Sequence, residues 1–397
     1  MAEGSDALQG CIQRAVVAYR DRFGAEPGWV GWGPGRVNII GEHTDYNRGL
    51  AMPAAIDRWV VVAMSWRDDG RLVLRSEDYD DQVDLAPGWS LAAGAPSWQR
   101  FAVGCVAEWA ALHPMARGLQ AAVAGNVPLG AGLSSSAAVE MAWLNALRAA
   151  SGCEASDLEL AKLGQRVEHH HLGLASGLLD QLASQLSRPG RLMVLDFATL
   201  AHRYTPAQLP GWSWVVVDSG VRRELSVSAY RDRVAECAAG LEAARRLDAQ
   251  LEGFEGLRSE HLDGIRDLGL VVPAQRLEHV LAENQRVLAM ERAICGGDVR
   301  EAGRLLLSSH ASLRDLYQVS CPELDILVQL CMGRDVCAGA RMVGGGFGGC
   351  VLALVRDSFA SKLGDSLAPE YASSYPHPLR SWRIRLVGGA GASQMSA

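Results

Sequence analysis

A glycine- and serine-rich segment, residues 128–138 with the sequence PLGAGLSSSAA, most constrains how this chain can fold. Residues 119–127 alternate small and apolar side chains as a β-strand does, and Val139, Trp143 and Leu147 recur at helical spacing. The pattern therefore predicts a strand, a tight turn and a helix. Glycines would let the backbone approach a ligand, and the free N–H groups of the helix N-terminus favour an anion such as phosphate. The serine hydroxyls could also bind a magnesium ion.

An ordinary serine-capped helix after a tight turn would explain the same segment if it stood alone. Three other binding motifs fit less well. The segment does not end in Gly-Lys-Ser/Thr as a P-loop does, it does not have the dinucleotide-binding spacing, and no glycine follows a serine as a hydrolase turn requires. The segment needs partners elsewhere in the chain to indicate a function.

Composition narrows the class of partner. The chain has 397 residues, enough for two domains, and a formal net charge of −7. Because no excess of Lys and Arg is present for phosphate backbones, we expect no nucleic-acid partner and a small-molecule ligand. A signal-like start and an uncharged apolar run of membrane-spanning length are both missing, so we expect no membrane partner and a cytoplasmic protein. The nine cysteines form no Cys-x-x-Cys pair and are predicted to be reduced.

A second stretch, residues 35–47 with the sequence GRVNIIGEHTDYN, runs from a short predicted strand into a loop crowded with ionisable groups. Such loops are disproportionately functional, because burying charged groups requires partners. A solvated turn with a charged rim is the alternative. The flanking apolar residues Val37, Ile39 and Ile40 favour the functional interpretation.

A predicted helix opens with a capping box at Ser156 and carries Glu168 followed by three histidines, residues 169–171. Successive helical residues point about 100° apart, so the histidines cannot converge on one zinc ion and are interpreted as surface or packing residues. Glu168 is a suitable magnesium ligand near phosphates. Asp180 follows in an apolar turn, where it could equally be a helix cap. Residues 341–350 hold five glycines, typical of a loop that approaches something closely or of a tight connection.

Taken in order, residues 35–47, 128–138 and 342–350 resemble the three motifs of the GHMP small-molecule kinases, and among these the kinases that phosphorylate galactose. The resemblance covers about residues 31–355. It implies an α+β fold with two domains, a ribosomal S5 domain 2-like N-terminal half and a ferredoxin-like C-terminal half, with the active site between them. We expect the N-terminal domain at residues 1–195, the C-terminal domain at 196–387, and a disordered tail at 388–397.

The resemblance also implies roles for individual residues. The catalytic pair would be Arg36 and Asp180. The sugar would be held by Glu42, His43, Asp45, Gly177 and Tyr230. The ATP phosphates would be surrounded by Gly130, Ala131, Gly132, Leu133, Ser134, Ser135 and Ser136, with Arg222 associated with ATP and Trp98 near the adenine. Magnesium would be bound by Ser136 and Glu168.

The implied reaction is ATP-dependent phosphorylation of D-galactose at its anomeric hydroxyl, giving galactose 1-phosphate and ADP, the first step of galactose use by the Leloir pathway. ATP and Mg²⁺ are the implied cofactors, and a monomer is expected. Asp180 would take the proton from the anomeric hydroxyl or at least orient it. Arg36 would stabilise the transferring group.

Three positions depart from the family pattern. Arg223 stands where a histidine is common, Ala229 where an acidic residue usually precedes the tyrosine, and Ser176 where a cysteine is common. The first two lie near Tyr230 and leave two alternatives open. One is a sugar-1-kinase for N-acetylgalactosamine, arabinose or galacturonate, and the other is a galactose sensor without turnover. The intact sugar residues favour galactose, and the intact catalytic and magnesium residues favour an enzyme.

Overall fold

The computed structural model describes residues 3–115, 117–174, 176–222 and 226–395. The helices are α1 (Glu3–Phe23), α2 (Ser97–Leu112), α3 (Ser135–Ser151), α4 (Asp157–Arg166), α5 (Leu179–Leu186), α6 (Ser226–Leu247), α7 (Ser259–Asp267), α8 (Val271–Cys295), α9 (Val299–Ser312), α10 (Pro322–Met332) and α11 (Leu363–Ala372). Single π-helical turns follow α4 at Val167–Leu172 and α9 at Leu313–Tyr317. Within these ranges, no helix combines the length and apolar character that a membrane crossing requires.

The strands form three sheets. The strands are β1 (Trp29–Asn38), β2 (Leu50–Ala51), β3 (Pro53–Arg67), β4 (Leu72–Ser76), β5 (Asp81–Leu85), β6 (Gly118–Gly125), β7 (Arg191–Asp196), β8 (His202–Pro206), β9 (Trp212–Asp218), β10 (Cys337–Val343), β11 (Cys350–Arg356), β12 (Arg380–Arg383) and β13 (Gly391–Gln394). The strand orders are β13-β1-β3-β6-β4-β5, β10-β11-β9-β12 and β2-β7-β8.

The six-stranded sheet carries helices on both faces. Its neighbouring strands are antiparallel except for β4 and β6, which run parallel. On β3 the side chains alternate between faces: Val61 and Ala63 pack under α1, whereas Val62 and Met64 point into the larger core with α3. A strand buried on both sides explains why β3 contains the apolar run VVVAM.

The predicted strand–turn–helix around the serine segment is confirmed by β6 and α3, and α3 ends at Gly152 with φ 64°. The helix lies unusually close to β1. A Cβ added to Gly33 would lie only 2.2 Å from the carbonyl oxygen of Ala138, so only glycine permits this packing. The close contact brings the start of α3 beside the C-terminal end of β1, where Arg36 lies.

The second half is built on a four-stranded antiparallel sheet whose two faces belong to different apolar clusters. Val215 and Val217 of β9 lie in the cluster that includes side chains of α6, α7, α8, α10 and α11. Trp214 and Val216 point the other way and, with side chains of α9, join the core that contains the first sheet. The two halves therefore share a continuous apolar core, and the surface between them is fixed by packing.

The chain end differs from the predicted tail. Residues 391–394 form β13 and pair antiparallel with β1, from Trp32 opposite Gly391 to Trp29 opposite Gln394. Leu386 also bridges to Ile56 of β3. The segment GASQ has no strand-like side-chain pattern, but the open edge of β1 offers unpaired backbone groups that satisfy it. After β12 the chain thus returns to the N-terminal sheet.

Candidate active site

Arg36 and Asp180 meet where the two halves join. Arg36, near the end of β1, is 6% exposed, and its Nε donates to Asp180 Oδ1 at 2.7 Å. Its Nη1 donates to the carbonyl of Gly132 at 2.7 Å. This bond joins the glycine- and serine-rich loop at residues 130–136, here called the serine loop, to the same guanidinium. The hydroxyl of Ser134 donates to the other carboxylate oxygen, Asp180 Oδ2. The carboxylate, in the first turn of α5, is thus held on both oxygens.

The serine loop has the backbone that its glycines predict. Gly130 and Gly132 have φ values of 69° and 79°, and Ser134, the residue before α3, has φ 56°. A left-handed serine is uncommon, and here it directs the hydroxyl to Asp180. The side chains of Ala131 and Leu133 are buried in the core, so they offer a ligand only their backbone. A groove of about 370 Å³ over the loop is lined by Arg36, Gly130, Gly132, Leu133, Ser134, Ser135, Ser136, Asp180 and Arg222.

A partly enclosed cavity of about 230 Å³ lies on the other side of the Arg36–Asp180 pair. Every sugar-binding residue predicted from the sequence lines it, together with the catalytic pair and Glu168: Arg36, Glu42, His43, Asp45, Glu168, Gly177, Asp180 and Tyr230. The structure adds five lining residues that the sequence analysis did not assign to the site: Leu174, Ser176, Leu179, Arg231 and Gly345. Ser176, Leu179 and Arg231 adjoin predicted site residues in the sequence, and Gly345 belongs to the third motif.

Asp45 is packed tightly against the loop before α5. A Cβ added to Gly177 would lie 1.7 Å from Asp45 Oδ2, so no side chain fits at that position. The N–H of Gly177 donates to the Tyr230 hydroxyl. Burial raises the pKa of Asp45 to about 7, and the negative charges of Asp180 and Glu42 add to the shift.

The C-terminal glycine motif lies behind this cavity. The N–H of Gly344 donates to Glu42 Oε1 at 2.7 Å, and Gly345 lines the cavity itself. On the other wall, His43 has φ 60° and its Nδ1 lies 2.8 Å from the Tyr46 hydroxyl. The glycine loop therefore approaches closely the carboxylate of Glu42, one of the residues predicted to hold the sugar.

Glu168 lies at the junction of the cavity and the serine loop, on the π-helical turn that follows α4. It is 4% exposed and accepts hydrogen bonds from the hydroxyls of Ser136 and Ser176. Burial raises its pKa, and Asp180 adds to the effect. A carboxylate with a neighbouring hydroxyl, both hard oxygen donors beside a phosphate-sized groove, fits Mg²⁺, which commonly takes one or two protein ligands plus phosphates.

The three histidines beside Glu168 face away from it, as interpreted from the sequence. His170 Nδ1 and His171 Nε2 lie 2.9 and 3.2 Å from Glu108 Oε1. The His169 ring bonds the carbonyl of Ser176 at 3.0 Å. His170 and His171 thus pack this turn against α2, whereas His169 contacts the loop before α5.

An apolar cleft of about 460 Å³ continues from the groove past α2. Trp98 Nε1 donates to Asp81 at 3.0 Å, and its ring stacks on Tyr79 with centroids 6.5 Å apart and planes 17° from parallel. Gly130, Ser135 and Ser136 line both the cleft and the groove. The cleft adjoins the groove, and the groove adjoins the cavity, with which it shares Arg36 and Asp180.

Arg222 lies at the edge of the groove. Its two terminal nitrogens each lie 3.0 Å from one oxygen of Asp218, which is fully buried, and a Cβ added to Gly130 would lie 3.0 Å from its Cδ. Bidentate pairing fixes the plane of the guanidinium. Of the two departures near Tyr230, Ala229 lies on α6, and Arg223 lies outside the described residues.

This architecture, with a glycine–serine loop at a helix N-terminus and a buried arginine paired with an aspartate between two α+β halves, defines a GHMP kinase. Residues 100–188 match the family model of the GHMP kinases N terminal domain, and residues 290–372 match that of the GHMP kinases C terminal. Residues 17–66 match the galactokinase galactose-binding signature.

Comparison with known proteins identifies the branch. The chain is 38% identical to galactokinase of Thermotoga neapolitana over 356 residues, covering 90% of this chain and 97% of that protein. It is 38% identical to galactokinase of Canis lupus familiaris over 382 residues, covering 94% and 96%. The crystal structure of Lactococcus lactis galactokinase complexed with galactose superposes with a TM-score of 0.88 and 29% identity, over 96% of this chain and 98% of that one. The chain belongs to the galactokinase family and is an ATP-dependent sugar kinase.

Proposed function

We propose that the chain transfers the γ-phosphoryl group of ATP to the anomeric hydroxyl of D-galactose, forming galactose 1-phosphate and ADP. One observation carries the proposal: Arg36 and Asp180 line both the partly enclosed cavity and the groove over the serine loop. A sugar hydroxyl in the cavity and a phosphate in the groove would meet at this pair. The match to the galactose-binding signature supports galactose as the sugar.

The partly enclosed cavity would recognise the sugar through its hydroxyls. The carboxylates of Glu42 and Asp45 accept hydrogen bonds, and His43 and Tyr230 add polar groups to the lining. An epimer that moves one hydroxyl leaves a buried acceptor unpaired, which costs about 1–3 kcal/mol. A small cavity with these polar groups in its lining therefore suits a single unmodified hexose.

The groove and cleft would bind ATP. The N-terminus of α3 and the backbone N–H groups of the serine loop face the phosphates, and Arg222 adds a positive charge at the edge. The adenine would lie in the apolar cleft beside Trp98 and Tyr79. Ser136 and Glu168 would hold Mg²⁺, which supplies positive charge to the phosphate oxygens when bound.

The chemical step needs little beyond positioning and charge, because phosphoryl transfer has a loose transition state. The anomeric oxygen forms a bond to the γ-phosphorus as the bond from that phosphorus to ADP breaks. Asp180 accepts the hydroxyl proton or orients the hydroxyl, with its carboxylate fixed by Arg36 and Ser134. Arg36 stabilises the charge on the transferring group.

The proposal includes a monomeric protein in the cytoplasm. The nine cysteines are free thiols, which agrees with a reducing compartment.

The test is ATP-dependent phosphorylation of a sugar panel, with the phosphorylated carbon located by NMR. The panel contains galactose, talose, N-acetylgalactosamine, arabinose, galacturonate and glucose. We expect galactose to give the highest kcat/KM and phosphate on carbon 1. A higher kcat/KM for another sugar would contradict the assignment of galactose as the substrate. Binding of galactose without turnover would favour a galactose sensor.

A further inference from the structure

Arg341 is a fully buried cation that none of the predicted roles uses. It lies on β10 of the C-terminal half, and its Nη1 donates to the carbonyls of Asn38 and Ile39 at 3.0 Å each. These carbonyls lie at the end of β1, within the segment 35–47 of the N-terminal half that carries three of the predicted sugar-binding residues. The guanidinium therefore joins the two halves directly behind the partly enclosed cavity.

The same guanidinium faces Glu42. Arg341 Nη2 lies 3.4 Å from Glu42 Oε1, the oxygen that also accepts the N–H of Gly344 at 2.7 Å. The amide of Asn38 donates to the other oxygen, Glu42 Oε2, at 3.2 Å. Both oxygens of this carboxylate are thus held from behind, while the side chain lines the cavity in front.

A buried arginine constrains its surroundings because it stays charged at any physiological pH. Its charge must be compensated nearby, and a carboxylate at the distance of Glu42 does so. Moving Glu42 to another rotamer would break this ion pair and the hydrogen bonds from Gly344 and Asn38. The three contacts together favour the conformation in which Glu42 lines the cavity.

Other buried groups hold the main chain here and not the carboxylate. His279 Nε2 lies 3.1 Å from the Glu42 carbonyl oxygen, and Glu283 accepts the N–H of Gly41 at 2.9 Å. Among the residues that the structure describes, Arg341 and Asn38 are the side chains that contact the Glu42 carboxylate itself. Substitutions can therefore separate the side chains that contact the carboxylate from the groups that hold the main chain.

We propose that Arg341 is a positioning residue for sugar recognition: together with Asn38 it fixes the Glu42 carboxylate so that one sugar hydroxyl is read selectively. This inference rests on the proposed function of the cavity. It assigns the C-terminal half a part in sugar specificity. The carboxylate that contacts the sugar would be supplied by one half and aligned by the other.

The test measures kcat/KM for galactose and for its 2-, 3-, 4- and 6-deoxy derivatives in the wild type and in Arg341→Lys. Lysine keeps the charge, but one ammonium group cannot reproduce the planar fork that reaches two carbonyls and a carboxylate. In the wild type, kcat/KM should fall most for the deoxy sugar that lacks the hydroxyl donating a hydrogen bond to Glu42. In the variant, that particular penalty should shrink at least about fivefold, while the penalties for the other hydroxyls and KM for ATP stay within about twofold.

Arg276→Lys is the matched control. Arg276 is the other arginine among the largest fully buried side chains, and it bonds Glu236, the Leu316 carbonyl and Gln318 away from the Glu42 carboxylate. We expect this control to lower the melting temperature without changing the deoxy-sugar penalties. Because each penalty is a ratio measured on one preparation, it does not depend on the folded fraction.

Asn38→Leu provides the second variant if Arg341→Lys does not fold. It removes the donor to Glu42 Oε2 and should weaken the same penalty. Equal losses for every sugar in the tested variant would overturn the proposal and leave a structural role only. The wild-type assay separates the two inferences, since missing galactose turnover there would reject the proposed function. Calorimetric binding of the same sugars would then still test whether Arg341 positions Glu42.

Discussion

Arg36 Nε lies 2.7 Å from Asp180 Oδ1, although 144 positions separate the two residues in the chain. The pair lies between the partly enclosed cavity and the groove over the serine loop, and both residues line both spaces. Since Ser134 occupies the second carboxylate oxygen, Asp180 has little rotational freedom. A carboxylate fixed in this way is suited to receiving a proton from a hydroxyl placed in the cavity.

Asp180→Asn should lower kcat by about 10²- to 10⁴-fold, the range that a general base contributes. The amide is nearly isosteric, so galactose affinity measured by calorimetry should change only a few-fold. Asp157→Asn is the control, because Asp157 pairs with Arg148 outside the site. Wild-type turnover in Asp180→Asn would exclude both proton transfer and orientation of the hydroxyl.

Gly177→Ala should damage the sugar cavity without unfolding the protein. The new methyl would lie 1.7 Å from Asp45 Oδ2, so the carboxylate must move. We expect KM for galactose to rise at least about tenfold, since a misplaced acceptor leaves a hydroxyl unpaired, while KM for ATP stays near the wild-type value. Gly10→Ala on α1, where a Cβ meets nothing within 4 Å, should change neither constant.

Galactose affinity should depend on pH through Asp45. Its pKa is raised to about 7 by burial and by the neighbouring charges of Asp180 and Glu42, so the carboxyl is mostly protonated below that pH. If the ionised form accepts the sugar hydroxyl, Kd should be about tenfold weaker at pH 6 than at pH 8. Titration calorimetry at both values measures this.

Two variants sharpen the pH test. Asp45→Asn should abolish the pH dependence, and Asp180→Asn should shift it to lower pH, because removing a nearby negative charge lowers the pKa of Asp45. A wild-type Kd that is constant from pH 6 to pH 8 would contradict the assignment.

The buried layer behind the cavity should make the protein acid-labile. Burial lowers the pKa of His279 from 6.5 to about 4. Burial alone would raise the pKa of Glu283, but Arg286, His279 and Arg341 together lower it from 4.5 to about 2. In both cases the unfolded chain binds a proton that the folded protein does not, so stability falls as pH decreases, first below 6.5 and again below 4.5.

Urea unfolding should show this loss. Between pH 7.5 and pH 5, His279 alone should lower the free energy of unfolding by about 1–2 kcal/mol. His279→Gln, which cannot be protonated in this range, should flatten that part of the pH profile even if it destabilises the protein overall. A variant profile parallel to that of the wild type would show that another group is responsible.

Local sequence pattern was sufficient for the elements that carry the site. Alternation and helical spacing around residues 128–138 predicted β6 and α3, and the capping box at Ser156 begins α4 as expected. These signals are reliable because strand and helix periodicities are properties of neighbouring residues. The ordered motifs also indicated the family, since each needs particular residue types at fixed spacing.

The sequence by itself thus determined which residues are available for chemistry and which local structures present them. Tertiary structure decided their partners: Asp180 with Arg36 and Ser134, Glu42 with Arg341 and Gly344. Contacts between segments far apart in the chain produce no periodic pattern in the sequence. The strand β13 forms through backbone pairing with β1, which its side chains do not predict. The raised pKa of Asp45 likewise exists only after folding, because burial and neighbouring charges cause it.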